Sequence, residues 1–125
     1  MEKLNKVVLD TNMLMAIGEL KIDIIDGLEE KLGKAEFFVP EEVTDELKKL
    51  KEKGRTKKNN AEIAEKIIEK YCSVLKSKKK NADERIEELA GEYIIATNDK
   101  ELRKRIKKKG FKTAFIRQKK VIVIE

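Results

Sequence analysis

The sequence contains no histidine, no tryptophan, one cysteine and one proline among its 125 residues. Without histidine, every mechanism that needs an imidazole as acid, base or metal ligand is excluded. The single cysteine, Cys72, excludes an internal disulfide and a multi-cysteine zinc site, and its apolar neighbours predict a buried small hydrophobe. No apolar run approaches the ~20 residues of a membrane span. No signal peptide precedes the first predicted strand, so we expect a cytoplasmic protein with no membrane partner.

The common phosphate-binding and nucleophile motifs are also missing. The chain has neither a GxxxxGK[ST] loop nor a GxGxxG turn. Its only serines, Ser73 and Ser77, do not lie in a nucleophile elbow. Any chemistry at this protein's site must therefore come from carboxylates.

Charge dominates what the chain does contain. Charged residues make up 43% of the sequence and hydrophobic residues 40%, which is enough for one core and not two. The length predicts one domain over residues 1–125. The formal net charge is +6, and a basic balance favours a polyanionic partner such as nucleic acid.

Short apolar strands alternate with amphipathic helices along the chain. We predict strands over residues 6–9, 37–39, 72–75, 93–96 and 114–116, with a short final strand at 121–124. Helices are predicted over residues 13–20, 21–32, 40–50, 60–71, 82–91 and 98–109, the last opened by a capping box at Asn98. Strands separated by helices form βαβ units. The sequence therefore predicts an α/β fold, a three-layer α/β/α domain with a mainly parallel central sheet of about five strands.

The segment VVLDTN places Asp10 at the tip of the first predicted strand. In open α/β sheets, ligands bind at the carboxyl ends of the strands. The ordinary alternative is an aspartate that only caps the next helix.

Three more acids stand out by position. Glu46 lies on or beside the apolar stripe of its helix, whereas Glu41 and Glu42 read as ordinary first-turn acids. Asp83 precedes Ile86 by three residues, so we predict that it points along the buried face. Asp99 follows the fourth strand. Each has a plain alternative, as a solvated glutamate or a first-turn acid that suits the helix dipole.

We expect the four acids to gather at one edge of the sheet, because the carboxyl ends of parallel strands lie there and the helices that carry Glu46 and Asp83 begin there. Carboxylates gathered there repel one another unless a cation is present. Hard oxygen ligands suit Mg²⁺ or Mn²⁺, which can activate water and stabilise a leaving oxygen in phosphodiester hydrolysis. We expect Thr11, Asn12 and Thr97 to orient carboxylates or water at this site.

At this point the sequence resembles a PIN-domain nuclease. The segments VVLDTN, VTDEL, ADERI and IIATND carry the resemblance, which covers essentially the whole chain. It implies a metal-dependent endoribonuclease that cuts single-stranded or looped RNA, and a homodimer. The family's four acids fall on Asp10, Glu46, Asp83 and Asp99, with Glu84 replacing Asp83 if the register differs by one.

Two branches of the family share features with this chain. The basic helix before the ending FIRQKKVIVIE resembles the archaeal and eukaryotic branch linked to rRNA processing, which implies a ribosome-assembly partner. The short length also fits VapC-type toxins, which implies an antitoxin peptide in the cleft. Genome context distinguishes these roles.

Basic residues form three runs, at residues 48–58, 76–80 and 100–109. Runs near an acidic metal site favour phosphate contacts with a steep salt dependence. The residues we expect to contact RNA are Lys57, Lys58, Lys78, Lys79, Lys80 and Arg103. Because aromatic residues make up only 5% of the chain, base stacking is not expected to drive recognition.

Other functions stay open or are disfavoured at this stage. A catalytically weak PIN-fold module that binds RNA or protein would keep the same acids. A phosphoryl-transfer enzyme of the haloacid dehalogenase type needs a second aspartate two residues after Asp10, where Asn12 stands. A receiver domain needs a phosphoacceptor after the third strand, where Leu75 and Lys76 stand.

Overall fold

The computed structural model describes residues 4–125, so residues 1–3 of the predicted domain lie outside the described part. One or two helices separate successive strands, except β5 and β6, which follow each other directly. The strands are β1 (Asn5–Leu9), β2 (Ala35–Pro40), β3 (Cys72–Leu75), β4 (Ile94–Ala96), β5 (Thr113–Arg117) and β6 (Val121–Ile124). The helices are α1 (Thr11–Leu20), α2 (Ile24–Leu32), α3 (Glu41–Leu50), α4 (Arg55–Tyr71), α5 (Ala82–Leu89) and α6 (Lys100–Lys108).

The strands form one six-stranded sheet in the order β3-β2-β1-β4-β5-β6. All neighbours are parallel except β5 and β6, which pair antiparallel. The α/β class and the mainly parallel sheet are therefore confirmed, with β6 as the sixth strand. Gln118 and Lys119 both have positive φ in the short connection that reverses the chain. So short a connection can join only antiparallel neighbours.

The strand order reverses at β1, which has β2 on one side and β4 on the other. Val8 pairs with Phe38 of β2 and with Ile95 of β4. Such a reversal opens a crevice at the carboxyl ends of the two central strands. It places Asp10, just after β1, beside residues 97–99, just after β4.

The core lies on and around β1. Val7, Val8 and Leu9 are completely buried, as expected for a parallel strand covered on both faces. Helix α1 packs against α3 and α4, α2 packs against β2 and β6, and α5 packs against α6. At Gly18 of α1 there is no room for a Cβ beside Asn60 of α4, so this glycine permits the close approach of the two helices.

Several predicted boundaries were wrong for local reasons. Helix α4 begins at Arg55, and not at residue 60, because lysine and arginine are good helix formers that extend the helix back to Gly54. Helix α2 begins at Ile24, because Lys21 adopts the left-handed conformation after α1. The N-cap of α6 is Asp99 and not Asn98.

Cys72 lies at the start of β3, at one edge of the sheet, and is partly rather than fully buried. Burial raises the pKa of its thiol to about 12, so the side chain stays a neutral thiol at physiological pH.

None of the helices within residues 4–125 is long and apolar enough to cross a membrane.

Candidate active site

Asp10 is a buried carboxylate at the junction of β1 and α1, with 7% of its surface exposed. Its Oδ1 accepts a hydrogen bond from the backbone N–H of Thr11, and its Oδ2 accepts one from the Thr97 hydroxyl, both at 2.7 Å. Burial raises the pKa of Asp10 to about 6. The hydrogen bonds from Thr97 and Thr11 lower it, whereas the negative charges of Glu46 and Asp83 raise it further.

A hydrogen-bond network ties the end of β4 to Asp10. The Asn12 amide donates to Asp10 Oδ2 at 3.3 Å and accepts from the backbone N–H of Asn98 at 2.9 Å. The hydroxyl of Thr97, which is completely buried, accepts from the backbone N–H of Asp99 at 3.2 Å. Of the three polar residues expected from the sequence, Asn12 and Thr97 donate to Asp10 through their side chains. Thr11 donates through its backbone N–H, and its buried hydroxyl has no hydrogen-bond partner in the described residues.

Asp99 is held by the helix that follows it. Its Oδ1 accepts from the backbone N–H groups of Glu101 and Leu102 at 2.9 and 3.1 Å, which caps α6. Capping a helix is a common role for an aspartate, which is why the position of Asp99 in the sequence also fits an ordinary acid at a helix start. The cap uses one carboxylate oxygen and does not involve Oδ2.

The four predicted acids line one cleft of about 380 Å³ at the switch point of the sheet, the place where the strand order reverses at β1. They are Asp10, Glu46, Asp83 and Asp99. Glu84 does not line this cleft, and it accepts a hydrogen bond from the Asn81 side chain instead. The geometry therefore brings Asp83, rather than Glu84, together with the other three acids.

The four acids share the cleft without forming a compact ligand cluster. Within residues 4–125, no three acidic or thiol side chains converge closely enough to hold one ion between them. The prediction that Asp83 points along the buried face was wrong, because its side chain is 52% exposed. Ala82, Arg85, Ile86 and Leu89 take the buried positions of α5. The Asp83 side chain instead pairs with Arg105 of α6.

Two further acids were missed by sequence reasoning, one that lines the cleft and one that is buried at the start of α3. Glu19 of α1 lines the cleft, and its spacing from Asn12 and Met15, which also line it, is the helical signal that could have found it. Glu42, interpreted as an ordinary first-turn acid, is buried with 7% of its surface exposed. No local signal separates Glu42 from Glu41, because the partners that bury it come from distant parts of the chain.

Glu42 connects α3 to α5 and to the loop at residues 76–80. Its Oε2 accepts from the backbone N–H of Lys78 at 2.9 Å, and its Oε1 lies 3.8 Å from Arg85 Nε. Burial raises the pKa of Glu42, but backbone hydrogen bonds, Lys78 among them, and the charge of Arg85 outweigh it and lower the pKa overall. The neighbouring Glu41 accepts from the backbone N–H of Ser77 at 2.8 Å. Two adjacent carboxylates therefore fasten this basic loop to the start of α3.

The basic residues predicted to contact RNA lie in different surroundings. Lys57 lines the cleft, and Lys58 is exposed beside it on α4. Lys78 and Lys79 are exposed in the fastened loop, and Lys80 pairs with Glu88. Arg103 does not line the cleft, because its guanidinium stacks over the Phe115 ring at 3.8 Å.

We expect the pKa of Asp10 to be visible in the stability of the metal-free protein. Because folding raises this pKa from 3.8 to about 6, the folded state binds the proton more tightly than the unfolded state. The contribution of Asp10 to the free energy of unfolding is therefore largest below pH 4. It decreases by about 3 kcal/mol as the pH rises to 6. Urea unfolding in EDTA, for wild type and Asp10→Asn between pH 3.5 and 7.5, measures it. The variant should gain stability relative to wild type over that range, and parallel curves would contradict the assignment.

The mainly parallel α/β sheet, with acids lining a cleft where the strand order reverses, is the architecture that the resemblance to a PIN domain implies. The model of the PIN-like domain family matches residues 7–119, and the chain belongs to this family. Over 126 aligned residues it is 32% identical to ribonuclease VapC9 of Archaeoglobus fulgidus, covering 98% of this chain and 91% of that protein. The resemblance inferred from the sequence is confirmed.

Solved structures agree with this assignment. The structure of the PIN domain endonuclease Utp24 superposes with a TM-score of 0.78 at 28% identity, over 96% of this chain and 90% of that one. A domain of a functionally unknown protein from Methanocaldococcus jannaschii superposes with a TM-score of 0.64 at 24% identity, over 90% of this chain and 91% of that one. The second likeness shows the fold alone.

Proposed function

We propose that this protein is a metal-dependent endoribonuclease that hydrolyses phosphodiester bonds in single-stranded or looped RNA. The observation that carries the proposal is the cleft at the switch point, which four acids from four different elements line together. A ribonuclease among its relatives supports RNA as the substrate.

The donor set of the cleft fits Mg²⁺ or Mn²⁺, because it consists of carboxylate oxygens with no thiol or imidazole. Burial is the main cause of the raised pKa of Asp10, and the negative charges of Glu46 and Asp83 add to it, as expected where carboxylates lie near one another. Asp10 and Asp99 would bind the ion most directly, and Glu46 and Asp83 would complete its ligands or position water. When bound, such an ion lowers the pKa of water and stabilises the charge that develops on the phosphate and its leaving oxygen.

The chain's own residues prepare the site for this reaction. Thr97 and Asn12 donate to the same oxygen of Asp10 and fix the plane of its carboxylate. The cap of α6 fixes Asp99 in the same way. Orienting ligands through such contacts commonly changes metal affinity or activity by about 10- to 100-fold.

The size and charge of the cleft support this substrate class. A volume of about 380 Å³ has room for a phosphodiester and a neighbouring nucleotide. Lys57 at the cleft, with Lys58 and the fastened loop at residues 76–80, supplies positive charge for the flanking phosphates.

The biological setting belongs to the same proposal. The resemblance implies either rRNA processing with a ribosome-assembly partner or the action of a VapC-type toxin with an antitoxin, in the cytoplasm and as a homodimer. Both roles would use the same cleft and the same hydrolysis. Cleavage of the cell's own rRNA precursor, compared with growth arrest on expression, distinguishes them.

One observation favours a second candidate, a catalytically weak module that binds RNA. The four acids do not converge on one point in the described residues, and Asp83 already has a cationic partner. Such a module would bind RNA in a salt-sensitive manner without turnover.

Removal of the metal tests the two candidates. End-labelled RNA with a stem and a single-stranded loop is incubated with the protein in Mn²⁺, Mg²⁺ or EDTA. We expect cuts in the loop with either metal, none in EDTA, and recovery when metal is added back. Salt-sensitive binding without cuts in any metal would favour the binding module, and cuts that persist in EDTA would contradict metal dependence.

A further inference from the structure

We propose that Arg105 is a positioning residue that competes with the divalent ion for Asp83. In this arrangement Arg105 holds one of the four cleft acids away from the metal-binding position, and binding of the ion requires that ion pair to open. The inference rests on the proposed function, because it concerns the metal of that same cleft.

The ion pair between Arg105 and Asp83 is part of a larger group of charged contacts. Arg105 Nη2 lies 2.7 Å from Asp83 Oδ2, and Arg105 Nε lies 2.7 Å from Glu87 Oε1. Asp83 and Glu87 are one turn apart on α5, so a single guanidinium spans both carboxylates. Lys109 pairs with the second oxygen of Glu87 at 2.9 Å. The contact therefore belongs to a network that joins α5 to α6.

Asp83 differs from the other three acids in its partner. Asp10 accepts hydrogen bonds from neutral donors, and Asp99 accepts from backbone N–H groups. Among the ion pairs of residues 4–125, Asp83 is the only one of the four acids that takes part. Arg105 itself does not line the cleft, so its effect on the site acts through Asp83.

Two physical consequences follow for metal binding. Asp83 must give up a charge-assisted hydrogen bond before it can ligate an ion, and the nearby positive charge repels a divalent cation. Replacing Arg105 by a neutral residue should therefore tighten Mn²⁺ binding, by about three- to tenfold at low salt.

Mn²⁺ binding to the full chain measures this directly, because free Mn²⁺ gives an electron paramagnetic resonance signal that bound Mn²⁺ loses. Wild type is compared with Arg105→Gln and with Lys109→Gln. Lys109→Gln is a matched control, because it removes a lysine from the same network that has no contact with Asp83. We expect tighter binding in Arg105→Gln and wild-type affinity in Lys109→Gln. In an Asp83→Asn background, Arg105→Gln should have a much smaller effect.

Other outcomes overturn the inference. Equal affinity in Arg105→Gln and wild type would make the pair an exposed contact without consequence. Weaker affinity would mean that Arg105 orients Asp83 toward the ion. If circular dichroism shows that Arg105→Gln does not fold, Arg105→Lys is measured instead. Lysine keeps the positive charge but cannot contact Asp83 and Glu87 at the same time, as the guanidinium does. We expect this variant to bind Mn²⁺ slightly more tightly than wild type. If the wild-type protein binds no Mn²⁺, the metal site of the proposed function is itself wrong. That result is distinct from a failure of the Arg105 inference, in which wild type binds Mn²⁺ and Arg105→Gln does not bind it more tightly.

Discussion

Asp10→Asn is expected to reduce metal-dependent RNA cleavage by at least about 100-fold, because it removes a direct ligand and not only a supporting hydrogen bond. Asparagine keeps the size of the side chain. Its carbonyl oxygen can still accept the hydrogen bond from the backbone N–H of Thr11, and its amide nitrogen, in place of Oδ2, can donate to the Thr97 hydroxyl instead of accepting from it. The negative charge that would hold the ion is lost. Since burial already disfavours that charge, the variant should remain folded and be at least as stable as wild type at neutral pH in EDTA.

Initial rates on the stem-loop RNA in Mn²⁺, with circular dichroism on each protein, measure the effect. Asp45→Asn is the matched control, because Asp45 is an exposed acid of α3 that does not line the cleft. It should cleave at the wild-type rate. Wild-type cleavage by Asp10→Asn would remove Asp10 from the catalytic residues, and salt-sensitive RNA binding should be retained in both variants.

Glu42→Gln is expected to lower the free energy of unfolding by about 3 kcal/mol, the cost typical of removing one partner from a buried ion pair. The substitution leaves Arg85, which is 5% exposed, without its buried counter-charge. It also weakens the hydrogen bond that Glu42 accepts from the backbone N–H of Lys78. Both effects act on the packing of α3 against α5, the two helices that bring Glu46 and Asp83 to the cleft.

Urea unfolding at neutral pH measures this loss as a shift of the midpoint at constant slope. Glu62→Gln, at an exposed position of α4, is the matched control and should change stability little. The double variant Glu42→Gln, Arg85→Met should recover much of the loss. It removes the buried Arg85 charge, which in Glu42→Gln would keep only the half-exposed Glu88 as a partner. A loss as small as that of Glu62→Gln would mean that water reaches the Glu42 carboxylate and that the ion pair contributes little.

Local sequence patterns were sufficient to predict the strands and the residues that follow their carboxyl ends. An apolar run that ends on a carboxylate is a short-range signal, and VVLDTN and IIATND each place an acid just beyond a parallel strand. Helix starts were less accurate. The predicted start of α4 was residue 60, where its apolar pattern begins, but exposed residues that are good helix formers extend the helix back to Arg55.

Side-chain orientation on the helices could not be predicted in the same way. Asp83 and Ile86 are three residues apart, which is compatible with one buried face, yet Asn81 caps α5 so that Asp83 lies beside that face. Glu41 and Glu42 look equivalent in the sequence, yet only Glu42 meets Arg85. Residue spacing predicts the angle between two side chains around one helix. It does not predict which other part of the chain packs against them.

The sequence by itself determined the α/β class, the parallel strands and the acids at the tips of β1 and β4. These follow from short-range alternation of apolar runs, and from the rule that parallel strands end at one edge. Only the tertiary structure decided that Glu42 is buried, that Glu19 and Lys57 border the cleft, and that Asp83 pairs with Arg105. Those outcomes depend on contacts between residues about 20 to 45 positions apart, whose burial and charge are set by the packing of helices rather than by any local pattern.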